Sequence, residues 1–281
     1  MEKNLNFGLI GYPLGHSMSK VIHEQLFALS SVKGTYEMIE VTPESLKETF
    51  DKKLISLRGF NVTIPHKIDI ITMLDELSDR AELFGAVNTV DVREDKIVGP
   101  NTDCVGFLRA LESADITLGG NVLLCGSGGV ARMIAFETIL AGAQLTVAVR
   151  ESDIPAAEEI KKEIEQKTGK TCTIMLLADV SDSYDLIVNG TPVGMYPHMD
   201  ACPLPKDIIQ KAGAVFDVIY NPLETKFVKY AKEAGLKYSG GLSMLVWQAA
   251  VAEEIWNDVK FSVDDIKKVT EITGRELTNN G

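Results

Sequence analysis

Two side chains in this sequence have the chemistry to move a proton and sit far apart in the chain. They are Lys67, in NVTIPHK (61–67), and Asp103, in GPNTD (99–103). A lysine in a dry pocket can serve as a general base, and an adjacent carboxylate can orient it and share the proton. Such a pair suits removal of the hydroxyl proton of a secondary alcohol whose hydride passes to a nicotinamide. It also reads as an ordinary ion pair or as two solvated charges. Two further polar clusters, GYPLGHSMS (11–19) and GAVNT (85–89), fall at the ends of predicted strands or beside turns. Open α/β sheets bind ligands at the carboxyl ends of strands, so four such clusters predict one converging site rather than four separate loops. Ser17 and Ser19 either cap a helix or hold a carboxylate with the help of the helix dipole. Gln248, inside the apolar run LVWQAAV, needs partners for its amide, either backbone groups or the hydroxyls of a polyol. His66, between Pro65 and Lys67, is given no role.

A second kind of chemistry is carried by LLCGSGGVAR. Gly126, Gly128 and Ala131 fit the pattern G-x-G-x-x-[GA] between a predicted strand and a predicted helix. Gly126 permits a tight turn, Gly128 lets backbone approach a pyrophosphate, and Ala131 lets the helix pack on the sheet. The helix N-terminus then offers free N–H groups and a positive dipole end to phosphates. The residues after the next strand, Val149, Arg150 and Glu151, bear on NADP against NAD. Arg150 argues for a 2′-phosphate or is a solvated charge; Glu151 repels that phosphate or pairs with Arg150.

These residues need a frame, and the pattern is strand then helix, repeated. Strands are predicted at Leu5 to Gly11, Thr35 to Val41 and Gly59 to Ile64, with a hairpin from Asn88 to Val92 and Lys96 to Gly99. Helices are predicted at Ser19 to Leu29, after Thr42 as N-cap with Pro43 in the first turn, and from Pro65 through Leu74. A helix starting near Asp103 leads to a second series. Its strands are Asn121 to Cys125, Gln144 to Val149, Thr173 to Leu177, Leu186 to Asn189 and Ala214 to Val218. Its helices run to Ala141, from Ile154 to Lys167, and from Leu223 to Ala234, where Gly235 ends the last. The tail LSMLVWQAAVAEEIW is too apolar to stand free. The fold expected is α/β with two lobes, a mostly parallel substrate lobe and a Rossmann-type dinucleotide lobe. The first covers 1–103 and 242–281, completed by the returning C-terminal helices; the second covers 104–241.

Composition narrows the ligands. The 281 residues are 45% hydrophobic and 24% charged, the balance of a globular protein rather than a disordered one. Lys and Arg total 28 against 40 Asp and Glu, a net charge of -12, which disfavours nucleic acid but not a small anion at a local positive site. No apolar run reaches membrane-spanning length, and the N-terminal segment lacks a signal-peptide pattern. Cys104, Cys125, Cys172 and Cys202 form no C-x-x-C pair, and His16, His23, His66 and His198 show no metal-ligand spacing. The expectation is a cytoplasmic chain without a metal.

Together these segments resemble the shikimate dehydrogenase family, from Gly8 to about Trp256. The resemblance rests on GYPLGHSMS, NVTIPHK, GAVNTV, NTDCVGF, LLCGSGGVAR, NGTPVGM, DVIYNPLET and GLSMLVWQAA, in the family's order. It implies reversible reduction of 3-dehydroshikimate to shikimate by NADPH, on the route to chorismate and aromatic amino acids. By motif, Lys67 matches the catalytic lysine and Asp103 its partner. Ser17, Ser19, Thr63, Asn88, Tyr220 and Gln248 match substrate-binding positions, with Ser17, Ser19 and Tyr220 on the carboxylate. Asp79, Gly126, Ser127, Gly128, Gly129, Val130, Val218 and Gly241 match cofactor contacts. NADP-specific members usually read Asn-Arg-Thr where this chain has Val149, Arg150 and Glu151, and often carry a further Arg where Ile154 stands. Arg150 alone is left to clamp a 2′-phosphate, so NADP is expected with NAD as the alternative. The readings carried forward are a shikimate enzyme, a quinate/shikimate enzyme using NAD, a dehydrogenase of a related cyclohexene acid, and a non-catalytic sensor of the same fold. The expected partner is a small molecule, with no nucleic acid or membrane, acting on a monomer or homodimer.

Overall fold

The computed structural model describes residues 5–15 and 17–279. His16, inside the first polar cluster, lies outside the described residues. The chain divides into two compact units: residues 1–106 with 245–281, and residues 107–244. Both crossings fall three residues beyond the borders expected from sequence.

In the first unit, β1 (Leu5–Gly11) is followed by α1 (Ser19–Ser30), β2 (Gly34–Glu40), α2 (Leu46–Lys52) and β3 (Gly59–Val62). Then come β4 (Glu76–Leu77), α3 (Asp79–Phe84), β5 (Thr89–Val92), β6 (Ile97–Gly99) and α4 (Thr102–Ser113), along which the chain leaves the unit. The sheet order is β2-β1-β3-β5-β6-β4. β1 runs parallel to both neighbours, whereas β5 is antiparallel to β3 and β6. Both faces are buried, which is why β1 reads as an almost continuous apolar run rather than an alternation. On one face Ile10, Phe60 and Val62 pack with Leu46, Phe50, Leu54 and Ala81. On the other, Phe7, Leu9 and Tyr36 pack with Phe27, Ala252 and Trp256.

Because β2 and β3 flank β1 on opposite sides, the chain reverses its direction of travel between β1 and β3. Such a switch point leaves a crevice outside the carboxyl ends of the two strands. Ser17 and Ser19 follow β1; Thr63 and Lys67 follow β3. β5 runs the other way, so its leading residue, Asn88, arrives at the same edge, with Asn61 registered against Thr89.

The second unit holds β7 (Asn121–Cys125), α5 (Gly129–Leu140), β8 (Gln144–Val149), α6 (Ile154–Thr168), β9 (Thr173–Leu176) and β10 (Leu186–Asn189). It continues with α7 (Lys206–Ile209), β11 (Ala214–Asp217), α8 (Lys226–Glu233) and β12 (Lys237–Gly240). All six strands are parallel, in the order β12-β11-β10-β7-β8-β9. This is the doubly wound dinucleotide-binding order, with its switch point between β7 and β10. The last helices, α9 (Gly241–Asn257) and α10 (Val263–Asn279), carry the chain back to the first unit. There the Trp256 indole donates to the Val90 carbonyl at 3.0 Å, and its ring stacks on Phe7 with centroids 5.0 Å apart.

Three local expectations give way. The helix expected from Pro65 through Leu74 is a turn followed by a short 3₁₀ segment, Asp69–Met73. Its run of Ile68, Ile70, Ile71 and Thr72 is rich in β-branched residues that crowd an α-turn. The helix expected from Leu223 starts at Lys226, because the Thr225 hydroxyl caps it by accepting from Val228 N at 3.3 Å. Thr42 caps no amide; its hydroxyl meets that of Ser45 at 3.2 Å beside a 3₁₀ turn.

Candidate active site

In the first unit, the ammonium of Lys67 donates to Asp103 Oδ2 at 2.6 Å, with both side chains only partly exposed. The elements explain the meeting. Lys67 sits just past β3, and its carbonyl accepts from Val87 N at 2.8 Å, which pins it to the approach of β5. Asp103 is in the first turn of α4, where a carboxylate suits the positive end of the helix.

Asn88 organises the rest. Its Oδ1 accepts the backbone N–H of Thr102 at 2.6 Å, which fixes the orientation of the amide. Its NH₂ group then faces three acceptors: Asp103 Oδ1 at 2.9 Å, Thr102 Oγ1 at 3.0 Å and Gln248 Oε1 at 3.0 Å. Gln248 is thus held by a side chain, not by the backbone groups that a structural amide would use. Thr63 is half-buried, and its N–H donates to Ile10 O at 2.9 Å, joining the ends of β3 and β1. Ser17 Oγ accepts from Ser19 N at 3.2 Å and donates to Ser19 Oγ at 3.0 Å. Neither serine caps α1, whose N-cap is Met18. His66 is fully buried, with Nε2 bound to the Val41 carbonyl at 2.6 Å, a structural tie. Asp79 opens α3 as an exposed residue.

Sequence reasoning did not single out Asn61 and Thr102. Asn61 is buried, and its Nδ2 donates to Thr89 Oγ1 at 3.0 Å and to Asn88 O at 3.3 Å. Both lie inside the quoted clusters; for Asn61, a polar residue between the apolar strand neighbours Phe60 and Val62 was the available signal.

In the second unit, the backbone turns at Gly126 with φ +105°, a conformation that L side chains rarely adopt, and a Cβ there would lie 2.8 Å from Thr191 Cγ2. Gly128 and Gly129 face open space, and Val130 is 38% exposed. α5 has Gly128 as its N-cap, with no side chain bonded to its first amides. Those amides and the dipole of α5 therefore fit a pyrophosphate, and Ser127 adds a hydroxyl in the same loop. Ala131 is fully buried where α5 meets Gly190. Arg150 is exposed and donates to Asp153 at 2.8 Å, so its partner is Asp153 and not Glu151. The contact raises the Arg150 pKa and lowers that of Asp153.

Val218 and Gly241 adjoin one another. Gly241 N donates to Ile219 O at 3.1 Å, and a Cβ on Gly241 would lie 2.1 Å from the Val218 carbonyl oxygen. Tyr220 is half-buried, and burial raises its phenol pKa, so it stays a neutral hydroxyl. Behind this loop Asp217, fully buried, accepts from Thr225 Oγ1 at 2.5 Å, Asn189 Nδ2 at 3.0 Å and Ile219 N at 3.1 Å. Sequence reasoning passed over it.

Burial pushes the Asp217 carboxyl up to about 6, against the pull of those three donors. Its folded pKa lies above its unfolded one, so the fold binds the extra proton between the two values. Stability from this group is present below about pH 4 and is lost as pH rises through about 6, by up to ~3 kcal/mol. Asp217→Asn is expected to remove this slope. The melting temperature of the variant relative to the wild type should climb across that window and level off above it. Parallel melting curves at every pH would refute the assignment.

Among the described residues, no cluster of His, Cys, Asp and Glu could hold a metal, and no helix is long and apolar enough to cross a membrane.

The geometry thus defines a dinucleotide-type α/β unit and, in the other unit, an amine–carboxylate pair set in a polar crevice. Comparison with known proteins gives the family. Residues 9–90 match a shikimate dehydrogenase substrate binding domain, and residues 241–271 match a shikimate 5'-dehydrogenase C-terminal domain. The chain is 41% identical to a shikimate dehydrogenase (NADP(+)) of Methanococcus maripaludis over 93% of this chain and 95% of that one. A crystal structure of shikimate 5-dehydrogenase from Thermus thermophilus, in complex with NADP(H) and shikimate, is 32% identical with a TM-score of 0.84. It covers 96% of this chain and 99% of the other. One from Listeria monocytogenes, in complex with shikimate and NAD, is 33% identical with a TM-score of 0.85, over 95% and 96%. The chain belongs to the shikimate dehydrogenase family.

Proposed function

We propose that this chain is an NADP-linked shikimate dehydrogenase, which interconverts shikimate and 3-dehydroshikimate in the supply of chorismate. The observation that carries the reading is the Lys67–Asp103 contact at 2.6 Å, held in a network with Asn88 and Gln248. The first unit is the substrate domain and the second the dinucleotide domain. The nicotinamide supplies the hydride chemistry when bound. Ser17, Ser19 and Tyr220 hold the substrate carboxylate; Thr63, Asn88 and Gln248 hold ring hydroxyls. In the oxidative direction, Lys67 receives the hydroxyl proton and Asp103 keeps the amine aimed. In the reductive direction the ammonium returns that proton to the forming alkoxide.

For the cofactor, Gly126, Ser127, Gly128, Gly129 and Val130 cradle the phosphates, Arg150 binds the 2′-phosphate, and Asp79, Val218 and Gly241 line the remainder. The four free cysteines agree with a reducing cytoplasm. The test is the nicotinamide absorbance change with shikimate, and with quinate, in the presence of NADP and of NAD. Oxidation of shikimate with NADP supports the reading. A preference for quinate with NAD favours the quinate/shikimate alternative, and no change with either polyol favours a sensor. Arg150→Ala should raise the KM for NADP about tenfold, the worth of one charge-assisted bond, and leave NAD use unaltered. Equal effects on both cofactors would remove Arg150 from the 2′-phosphate.

A further inference from the structure

The sheet of the second unit has two halves, and a dinucleotide lies across the switch point between them. Arg150 follows β8, in the half β7-β8-β9, so the adenosine end belongs there and the nicotinamide end at the carboxyl ends of β10 and β11. At those ends stand two fully buried polar side chains, Asn189 and Asp217, in register as the last residues of adjacent parallel strands. The proton transfer proposed above gives neither of them a task. Asn189 Oδ1 accepts from Thr191 N at 3.1 Å and from Thr191 Oγ1 at 2.6 Å. The backbone N–H can only donate, so the amide orientation is fixed. Its Nδ2 then donates to Asp217 Oδ1 at 3.0 Å and to Val193 O at 3.3 Å. Thr191 lies against Gly126, so the clamp reaches from the turn after β7, through the loop after β10, to the end of β11.

One bond of Asp217 bears directly on the cofactor loop. Its Oδ1 also accepts the backbone N–H of Ile219 at 3.1 Å. In a trans peptide the N–H and the C=O of one unit point in opposite directions. The Ile219 N–H turned toward the buried carboxylate therefore turns the Val218 carbonyl away from it. That carbonyl oxygen faces Gly241, where a Cβ would lie 2.1 Å away, so only glycine leaves it room. Asp217 Oδ2 accepts from Thr225 Oγ1 at 2.5 Å, which ties down the far end of the same loop at the start of α8. All three donors to the carboxylate are neutral, and two of them share one oxygen.

We propose that Asp217 is a positioning residue for the nicotinamide end of the cofactor: by holding the Ile219 amide it presents the Val218 carbonyl, beside Gly241, as an acceptor for the nicotinamide carboxamide. The proposal rests on the reading of this chain as an NADP-linked dehydrogenase. The test is calorimetric titration of the full chain, without substrate, with NADP and with adenosine 2′,5′-bisphosphate, which keeps the adenosine end and lacks the nicotinamide. In Asp217→Ala the Kd for NADP should rise about tenfold, the worth of one hydrogen bond to a charged group, with that for the bisphosphate within about twofold of wild type. Asp217→Asn is the conservative rescue. Its one oxygen can take the two N–H donors, which cannot accept, while its NH₂ faces the Thr225 hydroxyl, which can. Both ligands should then bind within about twofold of wild type, because the Ile219 amide is still held. If Asp217→Ala does not fold, Asn189→Ala replaces it: Asp217 keeps Ile219 and Thr225 as donors but loses its tie to the loop after β10. There the Kd for NADP should rise about fivefold, the worth of one net hydrogen bond, again with the bisphosphate within about twofold. A merely structural carboxylate would lower the melting temperature and move both ligands equally or neither, and either result overturns the proposal. So does an asparagine variant as weak toward NADP as the alanine one. A wild-type chain that binds neither ligand overturns the functional reading itself, and is told apart because no variant is needed to see it.

Discussion

Replacing Lys67 with alanine is expected to lower turnover of shikimate by about 10²- to 10⁴-fold, the usual loss when a positioned acid–base group is removed. The fold should survive. The Lys67 carbonyl keeps its bond from Val87 N, so the turn after β3 does not depend on the side chain. The side chain is 29% exposed, so its loss opens no closed cavity. Asp103 retains Asn88 as a donor. The KM for NADP should stay within about twofold, because the proposed cofactor loop belongs to the other unit. Lys67→Arg sharpens the test. Arginine keeps the charge and can pair with Asp103, but it does not release its proton near neutral pH. If proton transfer is the task, the arginine variant is nearly as slow as the alanine one. Steady-state kinetics with unfolding curves decide the matter, and a variant as active as wild type would refute the assignment.

Gly241→Ala is expected to lower kcat/KM by about 10²-fold for a different reason. The added methyl would sit 2.1 Å from the Val218 carbonyl oxygen, and that obstacle is backbone, which cannot rotate away. The segment from Val218 to Tyr220 must move or the start of α9 must. Both are restrained, by Val218 N on Asn189 O at 3.1 Å and Gly241 N on Ile219 O at 3.1 Å. A displacement on the order of 1 Å at a positioning loop is enough for the stated loss. Overpacking of this kind also costs about 1–3 kcal/mol of stability. The variant should therefore melt lower and show impaired NADP binding by titration. Wild-type kinetics would mean that neither backbone segment contributes to the cofactor site.

Much of the frame was legible because buried parallel strands are short, apolar and bounded by polar breaks. Asn121–Cys125, Gln144–Val149 and Leu186–Asn189 have the limits that the sequence suggests. β12 escaped notice because KYSG lies at the sheet edge with exposed Lys237 and Tyr238, so it carries no apolar run. α3, six residues long, and β4, two residues long, are too brief to show a period. In the candidate site, Lys67 and Asp103 stood out by residue type. Asn61, Tyr36 and Asp217 did not, because their meaning lies in partners that the sequence keeps apart. Tyr36 and Asn61 are 25 positions from each other, and nothing local to either announces a hydrogen bond. Arg150 was legible as a cation, but the choice of Asp153 over Glu151 depends on the turn that opens α6.

Trp256 has a bearing on synthesis of the protein. On a ribosome, strands β1 to β6 emerge early, yet the indole that covers Phe7 and bonds Val90 is translated near the end. The nascent first unit therefore waits with Phe7 and Tyr36 uncovered while the second unit, continuous in the chain, can complete its own core. A message cut short before α9 would yield a product lacking both that cover and Gln248, a natural substrate for chaperones and proteases.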